Sequence, residues 1–222
     1  MASFILSGED FGMKHLAWEL IILTLAFESA SNAQLLRSYG VKAALTSSDQ
    51  KFDYRFATGP GSTRRIGFNI AAYAEWFDVP FLSLVTQIEY AQRGTGQDFV
   101  VTNQDPVPLG VETVYSRLDY LSIPILGKLR FQSENFVPYV VAGPRVDYLL
   151  GYQSDEFHSA LYDGFQKATI GGSVGIGLQM DTMLPVGISA EVRYNFDLVD
   201  SYSTDLLKVR NNAYDIWLGV AF

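Results

Sequence analysis

From residue 38 onward the chain alternates, position by position, between apolar side chains and small or polar ones. That period of two belongs to strands whose two faces meet different surroundings. Ile66, Phe68, Ile70, Ala72, Ala74 and Trp76 share one face, and Gly67, Asn69, Ala71, Tyr73 and Glu75 the other. The same pattern predicts strands over residues 38 to 46, 82 to 93, 168 to 181, 186 to 196 and 214 to 222. Within them the charges keep to the non-apolar side: Lys42, Glu75, Glu89, Arg93, Glu191, Arg193 and Asp215. Two middle segments, 116 to 131 and 136 to 150, are less regular. The first holds Pro124 and reads as changing phase near Leu121, as a bulge would produce; the second holds Pro138 and Pro144. With that phase, Arg117 and Asp119 face inward, and so do Arg145 and Asp147 in the next strand.

Segment length and spacing turn these strands into an architecture. A tilted strand crosses a bilayer in roughly 9 to 11 residues, whereas strands of a soluble sandwich run to about 5 or 6. Connections alternate between short ones, at 77 to 80, 132 to 135 and 182 to 185, and long ones, at 47 to 65, 94 to 115, 151 to 166 and 197 to 211. Outer-membrane barrels have this rhythm of short periplasmic turns and long external loops, with an even strand count. The predicted fold is therefore all-β: an eight-stranded antiparallel transmembrane β-barrel over residues 34 to 222, with both mature termini periplasmic. Tyr39, Trp76, Phe81, Tyr90, Tyr194, Phe196, Tyr214 and Phe222 fall near segment ends, where an aromatic girdle belongs. Trp217, on the inner face of the last strand, is the exception.

Residues 1 to 33 read differently. Lys14 and His15 precede an apolar run from Leu16 to Phe27, and Ser31-Asn32-Ala33 supplies small residues before Gln34, the layout of a cleavable signal peptide. Glu19 interrupts the run, and the pattern begins at Met13, which fits an initiation there better than at Met1. Composition excludes several chemistries. The absence of Cys removes disulfides, thiol catalysis and thiolate metal sites, and a net charge of −8 without any basic run argues against nucleic acid.

The run Arg117-Leu118-Asp119-Tyr120-Leu121-Ser122-Ile123-Pro124-Ile125-Leu126-Gly127-Lys128, followed by Pro138-Tyr139-Val140-Val141-Ala142-Gly143-Pro144 and a final strand ending in an aromatic residue, resembles the PorT-type outer-membrane barrels of Bacteroidetes, small barrels of the OmpA-like class. The resemblance spans nearly the whole mature chain. It implies location in the bacterial outer membrane and contact with its lipid, and gives Phe222 the role of the signal read by the barrel-assembly machinery. It implies no activity, since fold and family do not carry function by themselves.

An eight-stranded barrel is just wide enough for its own side chains. The inward set of Lys42, Glu75, Glu89, Arg93, Arg117, Asp119, Arg145, Asp147, Glu191, Arg193 and Asp215 is thus expected to form a salt-bridged plug rather than a conduction path. His158, beside Asp155, Glu156 and Ser159 in the third long connection, is read as a solvated loop residue rather than a general base. Asp155, Glu156, His158 and Asp163 match no metal-ligand spacing, and the glycines from Gly171 to Gly177 lack the Lys-Ser/Thr of a phosphate loop. No catalytic residue, metal or cofactor is assigned. The expected function is a non-enzymatic structural or binding component whose loops or wall contact an envelope protein complex. An accessory of a secretion or assembly complex is the alternative, ahead of a narrow channel or a barrel enzyme.

Overall fold

A computed structural model describes residues 35–56, 62–77, 79–102, 108–131, 136–154, 161–181 and 186–222. Residues 1 to 33, read above as a signal peptide, lie outside them. Among the described residues nine strands follow one another: β1 (Leu36–Tyr54), β2 (Ser62–Trp76), β3 (Leu82–Thr102), β4 (Pro108–Arg130), β5 (Val137–Gln153), β6 (Ala168–Asp181), β7 (Gly187–Asp197), β8 (Tyr202–Ser203) and β9 (Leu207–Ala221). All neighbours pair antiparallel, and β1 closes on β9, so eight strands form a ring; the two-residue β8 only lines the outer part of β9.

Closure removes the sheet edges of the ring, which a bilayer requires because its core offers no partner to a free N–H or C=O. The seam runs to the last residue: Tyr39 and Phe222 exchange backbone hydrogen bonds of 3.2 and 2.7 Å, and their rings meet at 6.0 Å. Around the wall, apolar residues such as Leu45, Ile70, Ile88, Ile176, Ile216 and Leu218 point outward and are exposed. Residues that alternate with the apolar ones along the strands, such as Lys42, Thr46, Glu89, Glu191 and Asp215, are buried inside. An apolar exterior around a polar interior inverts a soluble protein and matches a lipid-facing barrel. Aromatics ring both ends of this belt, with Phe81 and Phe131 exposed at the short turns, and Phe68 on Tyr90 (5.9 Å) and Tyr194 on Tyr214 (4.8 Å) at the other end.

Several strands outrun the bilayer. β3 and β4 have 21 and 23 residues, about twice a membrane crossing, so the predicted loop at 94 to 115 is largely a continuation of the ladder. The same holds for 47 to 65, where β1 stays paired with β9 up to Tyr54↔Leu207. The described residues there leave the bilayer as paired strands.

One inferred irregularity is misplaced. Alternation in β4 is unbroken: Ser116, Leu118, Tyr120, Ser122, Leu126, Lys128 and Arg130 are all buried, with no phase change near Leu121. The register shift belongs to the β4–β5 ladder, where Asp119↔Gly151 is followed by Tyr120↔Leu149, leaving Leu150 as the extra residue in β5. Pro124 falls in a gap of the β3–β4 pairing, between Thr86↔Ile125 and Glu89↔Ser122, and stays opposite Arg145 of β5, without a bulge.

Residues 161 to 167 close the hairpin end of the ring. A short helical turn at 161 to 163 leads Tyr162 and Phe165 onto Leu118, Tyr120 and Val209, with Phe52, Leu149, Tyr202 and Leu207 around them. Leu149 N–H to Lys167 O (2.7 Å) and Gln166 N–H to Ser201 O (2.8 Å) tie the segment to strands on both sides.

Candidate functional site

Strand alternation aims one side chain in two at the axis, so the interior is assembled from all eight ring strands. Near the short turns, Glu75 accepts from Lys128 (2.8 Å) and the Ser83 hydroxyl (2.7 Å), with Arg130 and Arg37 each at 3.5 Å. Beside it, Lys42 meets Glu191 at 3.2 Å and the Tyr139 hydroxyl donates to the same carboxylate at 3.0 Å. The two ammonium groups also lie over rings, Lys42 over Tyr73 and Lys128 over Tyr139.

Arg193 forms the middle of the stack. It bridges Glu191 (2.5 Å) and Glu89 (3.5 Å), donates to Gln87 (3.0 Å) and lies 5.1 Å over Trp217. An inward Trp is tolerated because Ala44 and Ala71 pack against it. Arg93 pairs with Glu89 at 3.9 Å, and Asn195 donates to Asp215 at 2.6 Å.

Towards the hairpins, Arg145 joins Asp147 (2.6 Å) and Asp197 (2.7 Å), and Ser122 donates to Asp147 (2.5 Å). Asn211 and Ser201 donate to Asp197. Gln50 then donates to Asn211 and accepts from Tyr162, so the network continues into the covering segment.

The buried charges balance. Lys42, Arg93, Lys128, Arg130, Arg145 and Arg193 face Glu75, Glu89, Asp147, Glu191, Asp197 and Asp215, six of each sign among the described residues. Space between these groups is small: the cavity between Lys42, Glu75, Gln87, Lys128 and Glu191 measures about 10 Å³, room for about one water.

This geometry agrees with the sequence comparison. The profile described as "Outer membrane protein beta-barrel domain" matches residues 30–203. The chain belongs to that family. Among solved structures, this outer-membrane barrel is similar to OprG of Pseudomonas aeruginosa, at 11% identity and a TM-score of 0.49 over 83% of this chain and 95% of that one. It is also similar to Neisserial surface protein A, at 16% identity and 0.46 over 83% and 97%, and to Ail of Yersinia pestis, at 16% and 0.38 over 83% and 98%. No curated protein matches the chain.

Of the expected lumen residues, the barrel gathers Lys42, Glu75, Glu89, Arg93, Arg145, Asp147, Glu191, Arg193 and Asp215 inside. Arg117 and Asp119 are a correction. They share the outer parity of β4 with Tyr115, Leu121 and Ile123, pair with each other at 3.0 Å and remain partly exposed. Above the belt the surroundings exchange places, because the outer face meets water while the inner face meets Tyr162 and Phe165. The polar side of β4 is therefore its outside there.

Lys128, Arg130 and Asp197 are lumen charges that sequence reasoning left out; unbroken alternation through Pro124 would have found the first two. Outside the bilayer, the Asp200 carboxylate 2.5 Å away raises the pKa of Arg210, and donation to Asp163 raises that of Tyr152. Asp155, Glu156, His158 and Ser159 lie outside the described residues.

Proposed function

We propose that the chain is a non-enzymatic outer-membrane protein of the PorT-type branch, exported by residues 1 to 33, with both mature termini periplasmic and its hairpins presented outside to an envelope partner. The observation that carries this reading is the contrast between the barrel's two parts. Its lumen is packed with paired charges around a cavity of about 10 Å³, while β3 and β4 run to 21 and 23 residues, far past the bilayer. A filled interior leaves the projecting surface as the part free to act. Barrel-assembly machinery recognising Phe222 completes the proposal.

The test is a cysteine placed at Lys51, in an otherwise cysteine-free chain, labelled on intact cells with a membrane-impermeant maleimide. The proposal expects rapid labelling, together with crosslinking from the same position to one discrete envelope protein. Labelling only after the outer membrane is opened would reverse the orientation; external labelling without any crosslinked partner would refute the binding role.

A further inference from the structure

The β3–β4 hairpin outruns its neighbours and carries an open strand edge on β4. β5 leaves β4 at Arg117↔Gln153, and the chain has turned back over the mouth by Tyr162, whose ring lies 5.6 Å from that of Tyr152. Residues 109 to 116 therefore have β3 on one side and, among the described residues, no strand on the other. The ladder decides which groups face that open side. Arg130 N–H donates to Phe81 O, and the β3–β4 register runs unshifted from there to Val101↔Gly110. Even-numbered β4 residues thus bond to β3, and odd-numbered ones aim both N–H and C=O at the opposite side. Lower down the odd side serves β5, as Phe131 N–H to Pro138 O shows. Beyond Arg117 it belongs to Leu109, Val111, Thr113 and Tyr115, which meet no strand among the described residues.

Edges of this kind are ordinarily blunted by Lys, by Pro or by a bulge. Here Pro108 stands only at the start, the ladder's register shift lies at Val101/Thr102, and no Lys or Arg occurs from Gly94 to Ser116. Three carboxylates do occur there: Asp98, Asp105 and Glu112. Asp98 is exposed and accepts from two hydroxyls, Thr113 at 2.7 Å and Thr63 at 3.4 Å. The hairpin is open along one edge and acidic.

We propose that the β4 edge takes up an extended, basic segment of the envelope partner as an added strand. Main-chain hydrogen bonds to Leu109, Val111, Thr113 and Tyr115 supply the affinity, as in other strand additions. The hairpin's carboxylates select a segment bearing Lys or Arg. A second copy of this chain fits poorly, because pairing like edges brings the same carboxylates together. The inference rests on the hairpin-presenting reading above and states how the partner is held.

Amide hydrogen exchange, followed by NMR on the barrel in lipid nanodiscs, tests the edge with a short peptide alternating Val and Lys as the probe. Without peptide, the amides of Val111, Thr113 and Tyr115 should exchange at least about tenfold faster than those of Glu112 and Val114, which bond to β3. Peptide at millimolar concentration should slow the first three by about tenfold and leave the other two unchanged. Val111→Pro removes an edge donor without touching the bonds to β3, and should abolish that protection. E112K keeps every backbone group, should weaken the protection, and serves if V111P does not fold. Absence of protection by the peptide overturns the proposal. So does equal protection by a Val–Glu peptide, or protection that rises with protein concentration alone. Crosslinking from Lys51 reads the presence of a partner separately: a crosslink lost in V111P supports strand addition, and one that survives leaves the partner in place but overturns its docking on β4.

Discussion

Glu191 shows what each lumen side chain contributes. It receives Lys42, Arg193 and Tyr139 at once, so its removal strands Lys42 in a buried interior and leaves Arg193 with Glu89 alone, at 3.5 Å. Glu191→Ala is expected to cost about 3–5 kcal/mol, the penalty of an uncompensated buried charge, read from urea unfolding in lipid vesicles. Asp119→Asn on the outer face should cost under about 1 kcal/mol in the same assay, since its pair with Arg117 is partly exposed. The inward reading of Asp119 predicts two large losses instead. Gly94 is a different kind of single-residue requirement: its φ is +140°, and a Cβ there would come within 2.0 Å of the Ser116 carbonyl oxygen. Gly94→Ala should therefore lower stability by at least about 1–3 kcal/mol, measured by the same unfolding.

For the strands, legibility follows the surroundings. Where a strand has lipid on one side and the lumen on the other, as β7 and β9 do over residues 188 to 196 and 214 to 222, alternation alone assigns every side chain to its face. The rule fails in β4 because the environment changes along the strand: Leu118 and Tyr120 are buried against the covering segment, and the charges of Arg117 and Asp119 turn to water. Asp197 was hidden for a related reason, since it ends β7 at the start of what reads as a polar loop and still reaches Arg145 inside. The hairpins were unreadable as strands because no apolar face is needed beyond the bilayer; the β3–β4 ladder holds their outer part, helped by one hydrogen bond from the Thr63 hydroxyl to Asp98 at 3.4 Å. Gln97 and Val114 face each other across that ladder, and among the described residues no neighbouring strand pairs beyond them. Replacing residues 98 to 113 by an Asn-Gly turn is expected to leave the barrel intact, with heat-modifiable gel migration retained and stability changed by about 1 kcal/mol or less.

At the scale of the molecule, closure, charge balance and filling act together. A ring without edges satisfies the backbone in lipid, while six cations against six carboxylates let a polar interior exist without net charge. The covering segment, led by Tyr162 and Phe165, then seals the end that the hairpins leave open. Its removal from the packing by Tyr162→Ala and Phe165→Ala should lower unfolding stability by about 3 kcal/mol or more, yet leave the charge stack below in place. The central claim is a lipid-facing wall around a closed lumen, and because the chain has no Cys, spin labels placed one at a time from Ala213 to Val220 report it directly. Electron paramagnetic resonance in vesicles should find positions 214, 216, 218 and 220 open to oxygen, and positions 213, 215, 217 and 219 closed to both oxygen and a water-soluble nickel chelate. Nickel access at the odd positions would mean a water-filled pore, and loss of the period-two pattern would mean that β9 is no barrel strand at all.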